Sequence, residues 1–232
     1  MYAYINILVL CTFSIMENKD QRYIAAQLKC PSGEDGIKAA EKMNDNNAGV
    51  IGKTMALAAP ADGAYILELG PGNAYHVREL LSMARGLRYA GVDISDTMLA
   101  EAGLMNREQV AAGTASFRKG DGRSLPFPDN TFDKFLTVNT LYFWEDAPGM
   151  LKEIRRVLKP GGSMVLSFGS QRFMQHLPFV QYAFRLYNEP EVTAMLEAEG
   201  FRVRGTDFYF EDAKGMNGET LTKEFILISA EK

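Results

Sequence analysis

The chain has 232 residues, 47% of them hydrophobic and 23% charged, with a formal net charge of −4. That length supports one large domain with its own core, without disulfide or metal staples. The acidic balance argues against a nucleic-acid partner, which would call for a basic face. Two cysteines (Cys11, Cys30) and two histidines (His76, His176) form no CxxC or Cys/His cluster, so a reducing, cytoplasmic setting and no metal site are expected.

Residues 1–15 form an apolar run too short to cross a bilayer as a helix, and they lack the basic start of a signal peptide. They are read as an extension, with Met16 as an alternative start, and no stable membrane insertion is expected. Residues 16–63 read as a helical cap. Ile37, Ala40, Met43, Val50, Ile51, Met55 and Leu57 recur at near-helical spacing, Pro31-Ser32-Gly33 breaks the run before them, and Pro60 ends it.

From residue 64 short apolar runs alternate with helical ones. Strands are predicted at 64–69, 88–92, 115–118, 131–138 and 163–168. Between them come a helix through Arg85, one capped by Ser95 or Asp96 and reaching Ala112, and one at 147–158 stopped by Lys159-Pro160-Gly161-Gly162. A helix at 190–199 precedes two β-rich runs, 201–210 and 223–230, that suit an antiparallel pair at a sheet edge. The order predicts an α/β domain over 64–232. It is a Rossmann-like seven-stranded sheet, parallel with an antiparallel C-terminal edge, helices on both faces and the helical cap in front.

The first strand turns into a helix through Glu68-Leu69-Gly70-Pro71-Gly72-Asn73-Ala74. In open α/β sheets ligands bind beyond the carboxyl ends of strands. Gly70 and Gly72 permit a sharp turn and close ligand approach, and the helix start offers free N–H donors. A glycine turn by itself is compatible with a plain tight turn. Glu68 beside it would repel a pyrophosphate and attract an amino group and a sulfonium, which favours S-adenosylmethionine over a dinucleotide. Asp93 at the end of the second strand suits a ribose diol; the bland alternative, a helix cap, is better filled by Ser95 or Asp96. Asp121 after the third strand suits an adenine amine or an ordinary Asp-Gly turn. Three acids at successive strand ends are less readily explained by chance than any one alone.

With these stretches, and with Leu125 to Asp133, Asn139 to Trp144 and the run EIRRVLKPGG at Glu153–Gly162, the chain resembles class I S-adenosylmethionine-dependent methyltransferases. It is most similar to the small-molecule branch with the ubiquinone and menaquinone biosynthesis enzymes. The resemblance covers residues 64–169 and weakens beyond. It implies that Glu68, Gly70 and Gly72 surround the methionine part of the cofactor and that Asp93 holds the ribose, with Pro71, Asn73 and Ser95 also among the cofactor-binding residues. Ile94 and Met98 would touch adenine, and Asp121 with Gly122 would read its edge, Gly120 being counted as cofactor-binding beside them. Asn139 and Leu141 would form the floor under the sulfur, with Thr140 between them counted as cofactor-binding. Where the family often has a third glycine, this chain has Ala74.

Methyl transfer needs positioning more than a dedicated acid or base, because the cofactor carries the reactive group. Tyr142, with a hydroxyl near that floor, and His76 are the candidate catalytic groups. A core role for aromatic residues there and a surface role for the histidine are the alternatives. Asn44, Asn47, Trp144, Phe179 and Tyr182, with Tyr142, are candidates for the acceptor side. The asparagines would act as a lid unless they are a polar helix end, and the aromatics would line a pocket unless they pack a helix on the sheet edge. The expected partner is a small-molecule methyl acceptor, on a monomer or homodimer. Two alternatives stay open: an NAD(P)-dependent oxidoreductase and an inactive S-adenosylmethionine-binding regulatory module.

Overall fold

A computed structural model describes residues 20–214 and 220–232. The extension at 1–15 lies outside them, as do the first four residues of the expected cap. The described cap is two helices. α1 (Gln21–Lys29) begins where the Asp20 side chain accepts from the Arg22 N–H. α2 (Gly33–Ala58) follows the Pro31-Ser32 break.

The strands are β1 (Tyr65–Leu69), β2 (Arg88–Asp93), β3 (Ala115–Lys119), β4 (Phe132–Val138), β5 (Leu158–Gly169), β6 (Arg202–Lys214) and β7 (Thr220–Glu231). They form one sheet in the order β3-β2-β1-β4-β5-β7-β6. β1 to β5 pair in parallel, and β7 runs antiparallel between β5 and β6. The antiparallel C-terminal pair is therefore present, and β6, which runs with the first five strands, forms the outer edge.

Several boundaries differ from the sequence pattern. The helix after the glycine turn, α3, spans only Val77–Ser82. The next predicted helix is two, α4 (Asp96–Met105) and α5 (Arg107–Ala111), parted at Asn106, whose buried amide donates to the carbonyls of Ala74 and Ala102. Lys159-Pro160-Gly161-Gly162 ends α6 (Ala147–Val157) as expected. It also belongs to β5, because Leu158 already pairs with Phe132 across a register shift. Two single-turn helices, α7 (Gln171–Met174) and α8 (Val180–Ala183), lead to α9 (Glu189–Ala198).

Alternate strand residues face opposite layers. Leu67, Phe135, Leu166 and Ile228 pack on one face against Met150, Leu151 and Ile154 of α6 and Val192 and Leu196 of α9. Ile66, Leu136 and Val165 pack on the other against Met55 of α2, Val77 and Leu80 of α3 and Ala102 of α4. Each such buried side chain contributes roughly 1.5–3 kcal/mol through lost water contact. Glu68 shares the strand face of Ile66, so a carboxylate occupies a position that packing alone would give to an aliphatic group. It must find partners there.

Candidate functional site

The carboxyl ends of β1, β2 and β4 open onto one cleft, and α2 lies over it. Glu68, Leu69, Gly70, Pro71, Gly72, Asn73, Asp93, Ile94, Gly122, Asn139 and Thr140 line its base. Pro31, Ala40, Met43, Asn44, Asn47 and Ile51 line its roof. The glycine turn explains itself locally. Gly70 and Gly72 both have left-handed backbone, φ +71° and +58°. A Cβ on Gly70 would run into the Thr140 Cγ2, whereas one on Gly72 would meet nothing within 4 Å. The second glycine thus leaves its space to the cleft. Ala74 keeps the glycine-like φ of +54°, and the Asn106 amide, bound to its carbonyl at 3.0 Å, helps hold that conformation.

Glu68 and Asp93 both reach the cleft and are buried. Glu68 Oε2 accepts from the Tyr89 hydroxyl at 2.6 Å and pairs with His76 Nε2 at 2.8 Å. Asp93 accepts from the Gly72 N–H at 3.1 Å and the Ser95 N–H at 2.9 Å, which ties the β2 end to the glycine turn. Burial pushes the Asp93 carboxyl above its ordinary pKa, against the opposing pull of those N–H groups.

Asp121 does not join them. Its carboxylate is exposed and folds back on its own turn, accepting from the N–H groups of Arg123 and Ser124 and from the Ser124 hydroxyl. These bonds lower its pKa to about 2. The expected convergence of three acids is therefore a convergence of two, with the Asp121 turn presenting Gly122 to the cleft. The short reach of an aspartate at an Asp-Gly turn favours its own backbone.

Other candidates also fall outside the cleft lining. Ser95 caps α4 through the Met98 N–H and donates to the Pro31 carbonyl. Met98 and Leu141 are core residues, and Gly120 lies against Val92. The Tyr142 hydroxyl, placed near the sulfur by the sequence reading, is buried. It donates to Asn139 Oδ1 at 3.0 Å and accepts from the Gly169 N–H. Burial drives its pKa well up, so it acts as a brace between the ends of β4 and β5. Phe179 packs on Phe184 in the core, and Tyr182 is exposed under the Arg22 guanidinium. The polypeptide between β5 and α9 turns this aromatic stretch away from the cleft.

Trp144 lies at the cleft and donates to Thr140 Oγ1 at 3.2 Å, with Phe143, Val138 and Met150 beside it. The roof is attached to the floor by the Asn139 amide, which donates to Asn47 Oδ1 at 3.1 Å, and by the Tyr75 hydroxyl, which donates to the Asn44 carbonyl at 3.3 Å. His76, a candidate catalytic group with a surface role as the alternative, is buried and held by Glu68. Sequence reasoning missed the contribution of Leu28, Lys29 and Pro31 to the lining. The Pro31-Ser32-Gly33 signal marked a helix break and carried no sign of where the break would dock.

The donor set fits a nucleoside with a cationic tail. Two buried carboxylates flank an open glycine turn. Two buried lining atoms, Asn73 Oδ1 and His76 Nδ1, have no hydrogen-bond partner among the described residues. A pyrophosphate would instead face the Glu68 carboxylate.

Residues 67–166 match a family model described as a methyltransferase domain. This stretch, 100 of the 232 residues, is similar to a methyltransferase domain. The ubiquinone/menaquinone biosynthesis C-methyltransferase of Paracoccus denitrificans is 31% identical to the chain over 156 residues, 63% of this chain and 59% of that protein. The chain thus spans about three-fifths of that relative. A SAM-dependent methyltransferase from Aquifex aeolicus has the same fold at a TM-score of 0.61 and 19% identity, covering 92% of this chain and 99% of that one. The cyclase SpnF does so at 0.62 and 18%, covering 81% of each chain. At such identities these two speak for the fold alone. The matched stretch contributes the whole floor of the cleft from Glu68 to Thr140, and the helices ahead of it contribute the roof.

Proposed function

We propose that the chain is a methyltransferase that takes its methyl group from S-adenosylmethionine and gives it to a small, largely apolar acceptor. The observation that carries this is the pair Glu68 and Asp93, buried on either side of a glycine turn whose Gly72 faces open space. S-adenosylmethionine, when bound, supplies an electrophilic methyl on a positive sulfur. Glu68 and Asn73 would hold its methionine end, Asp93 its ribose, and Ile94 with the backbone at Gly122 its base. Asn139 and Thr140 would form the floor, and α2 would exclude water.

The acceptor would lie between Val138, Phe143, Trp144 and Met150, with Asn47 and Asn139 as polar contacts at its edge. Flat apolar surface beside two amides favours a ring carrying an oxygen substituent, in keeping with the ubiquinone/menaquinone biosynthesis named for the Paracoccus denitrificans relative. The titratable groups in the lining are Lys29, Glu68, Tyr75, His76 and Asp93, and the two that lie deepest, Glu68 and His76, hold each other. An acceptor acidic enough to ionise without a dedicated protein base suits this arrangement. A cytoplasmic enzyme, monomeric or homodimeric, without nucleic-acid partners completes the proposal.

Calorimetric titration with S-adenosylhomocysteine and with NADH tests the first half. Binding of the first alone is expected, and tight binding of NADH alone would replace the proposal with an oxidoreductase. Transfer of labelled methyl from S-adenosylmethionine to a hydroquinone or phenolic acceptor tests the second. Cofactor binding without transfer to any acceptor in a metabolite extract would favour a regulatory module.

A further inference from the structure

The glycine-turn end of the cleft contains a buried carboxylate–imidazole pair that methyl transfer by itself does not require. The side chains of Glu68 and His76 are each 4% exposed, with Nε2 and Oε2 2.8 Å apart. Tyr89 on β2 donates to the same Oε2. His76 meets the ring of Tyr75 edge-on at 5.6 Å, and its Nδ1 has no partner among the described residues. The other charges acting here are Glu79 of α3 on His76, Asp93 of β2 on Glu68's partner Tyr89, and Asp45 of α2 on Tyr75. All three are acids. A carboxylate buried without a counter-charge is costly, and His76 is the group placed to supply one.

We propose that His76 is a positioning residue and internal counter-ion for Glu68, and that it releases a proton when the cationic methionine end of the cofactor enters. This rests on the cleft being an S-adenosylmethionine site. The proton leaves Nδ1 for the solvent. The Nε2–H remains, still donated to Glu68 Oε2, so the carboxylate is held in place for the incoming ammonium. Burial alone lowers the affinity of His76 for its proton, but the Glu68 charge and hydrogen bond overcome this and hold the pKa above its ordinary value. A second cation beside Glu68 weakens that support, and burial then prevails. Cofactor uptake and proton release are thereby one coupled equilibrium.

The chain has only two histidines, so imidazole Cε1–H signals of the full chain can be assigned with a single His176→Gln variant. Just below the ordinary histidine pKa, the His76 signal is expected at the imidazolium position in the free protein and at the neutral position with saturating S-adenosylhomocysteine. Calorimetry at one pH in phosphate and in Tris should give binding heats that differ in the sense of proton release. His76→Gln, which retains a donor for Glu68, should bind within about tenfold of the parent affinity with no buffer dependence. S-adenosylhomocysteine binding that leaves the His76 signal and the buffer dependence unmoved overturns the inference and spares the cofactor assignment. Failure of S-adenosylhomocysteine to bind overturns both. Should His76→Gln fail to fold, the parent titration decides by itself.

Discussion

The side-chain amide of Asn139, at the end of β4, donates to Asn47 on the roof helix at 3.1 Å, across 92 residues of sequence. Asn139 has left-handed backbone, φ +57°, a conformation that asparagine tolerates better than other non-glycine residues. The Tyr142 hydroxyl occupies its Oδ1, so the amide is turned toward α2. Asn47→Ala removes one hydrogen bond worth about 0.5–1.5 kcal/mol between roof and floor. Stopped-flow release of S-adenosylhomocysteine should speed up roughly two- to tenfold, with little change in melting temperature. An unchanged release rate would mean that this contact does not hold the roof.

The two glycines of the turn should respond differently. Gly70→Ala adds a left-handed alanine and a clash with Thr140, together about 2–5 kcal/mol of lost stability. Gly72→Ala carries only the backbone cost of about 1–2 kcal/mol, because its Cβ has room. It should fold, yet lose about 1–3 kcal/mol of cofactor affinity as the methyl intrudes on the cleft. Thermal melts and calorimetry on both variants check this. Equal affinity in Gly72→Ala and the parent would show that the cofactor does not approach this backbone.

Asp93 and Asp121 looked equivalent by position, and the structure ranks them. Asp93→Ala should weaken S-adenosylhomocysteine binding by on the order of 1–3 kcal/mol, through lost charge-assisted bonds and a loosened Gly72. Asp121→Ala alters an exposed turn and should change affinity by no more than about twofold. The reverse order in a calorimetric comparison would mean that the Asp121 turn reorganises around the ligand.

Tyr142→Phe leaves the Gly169 N–H without its partner in the interior, a loss of about 1–3 kcal/mol in stability. The hydroxyl's pKa is driven upward by burial, so it has no titration to contribute near neutrality. The melting temperature should fall while the shape of the pH–rate profile stays the same. Loss of one limb of that profile would restore a catalytic role.

Much of the molecule was legible in the sequence because it depends on short-range chemistry. Period-two apolar runs, helix caps and the Gly70-Pro71-Gly72 turn act over a few residues, so the positions of the strands along the chain, the parallel core and the position of the cleft followed from them. The placement of Glu68 and Asp93 at the cleft followed too, since a strand end fixes where its last side chains emerge. Side-chain partners chosen across the fold were not legible. Tyr142 and Gly169, His76 and Glu68, and Asn47 and Asn139 meet through packing of separate elements, and Asp121 turned away because its own backbone was nearer than the cleft. Which polar group serves the site and which one braces it is decided by competition for hydrogen-bond partners in the folded interior, and that competition begins only when distant segments close on one another.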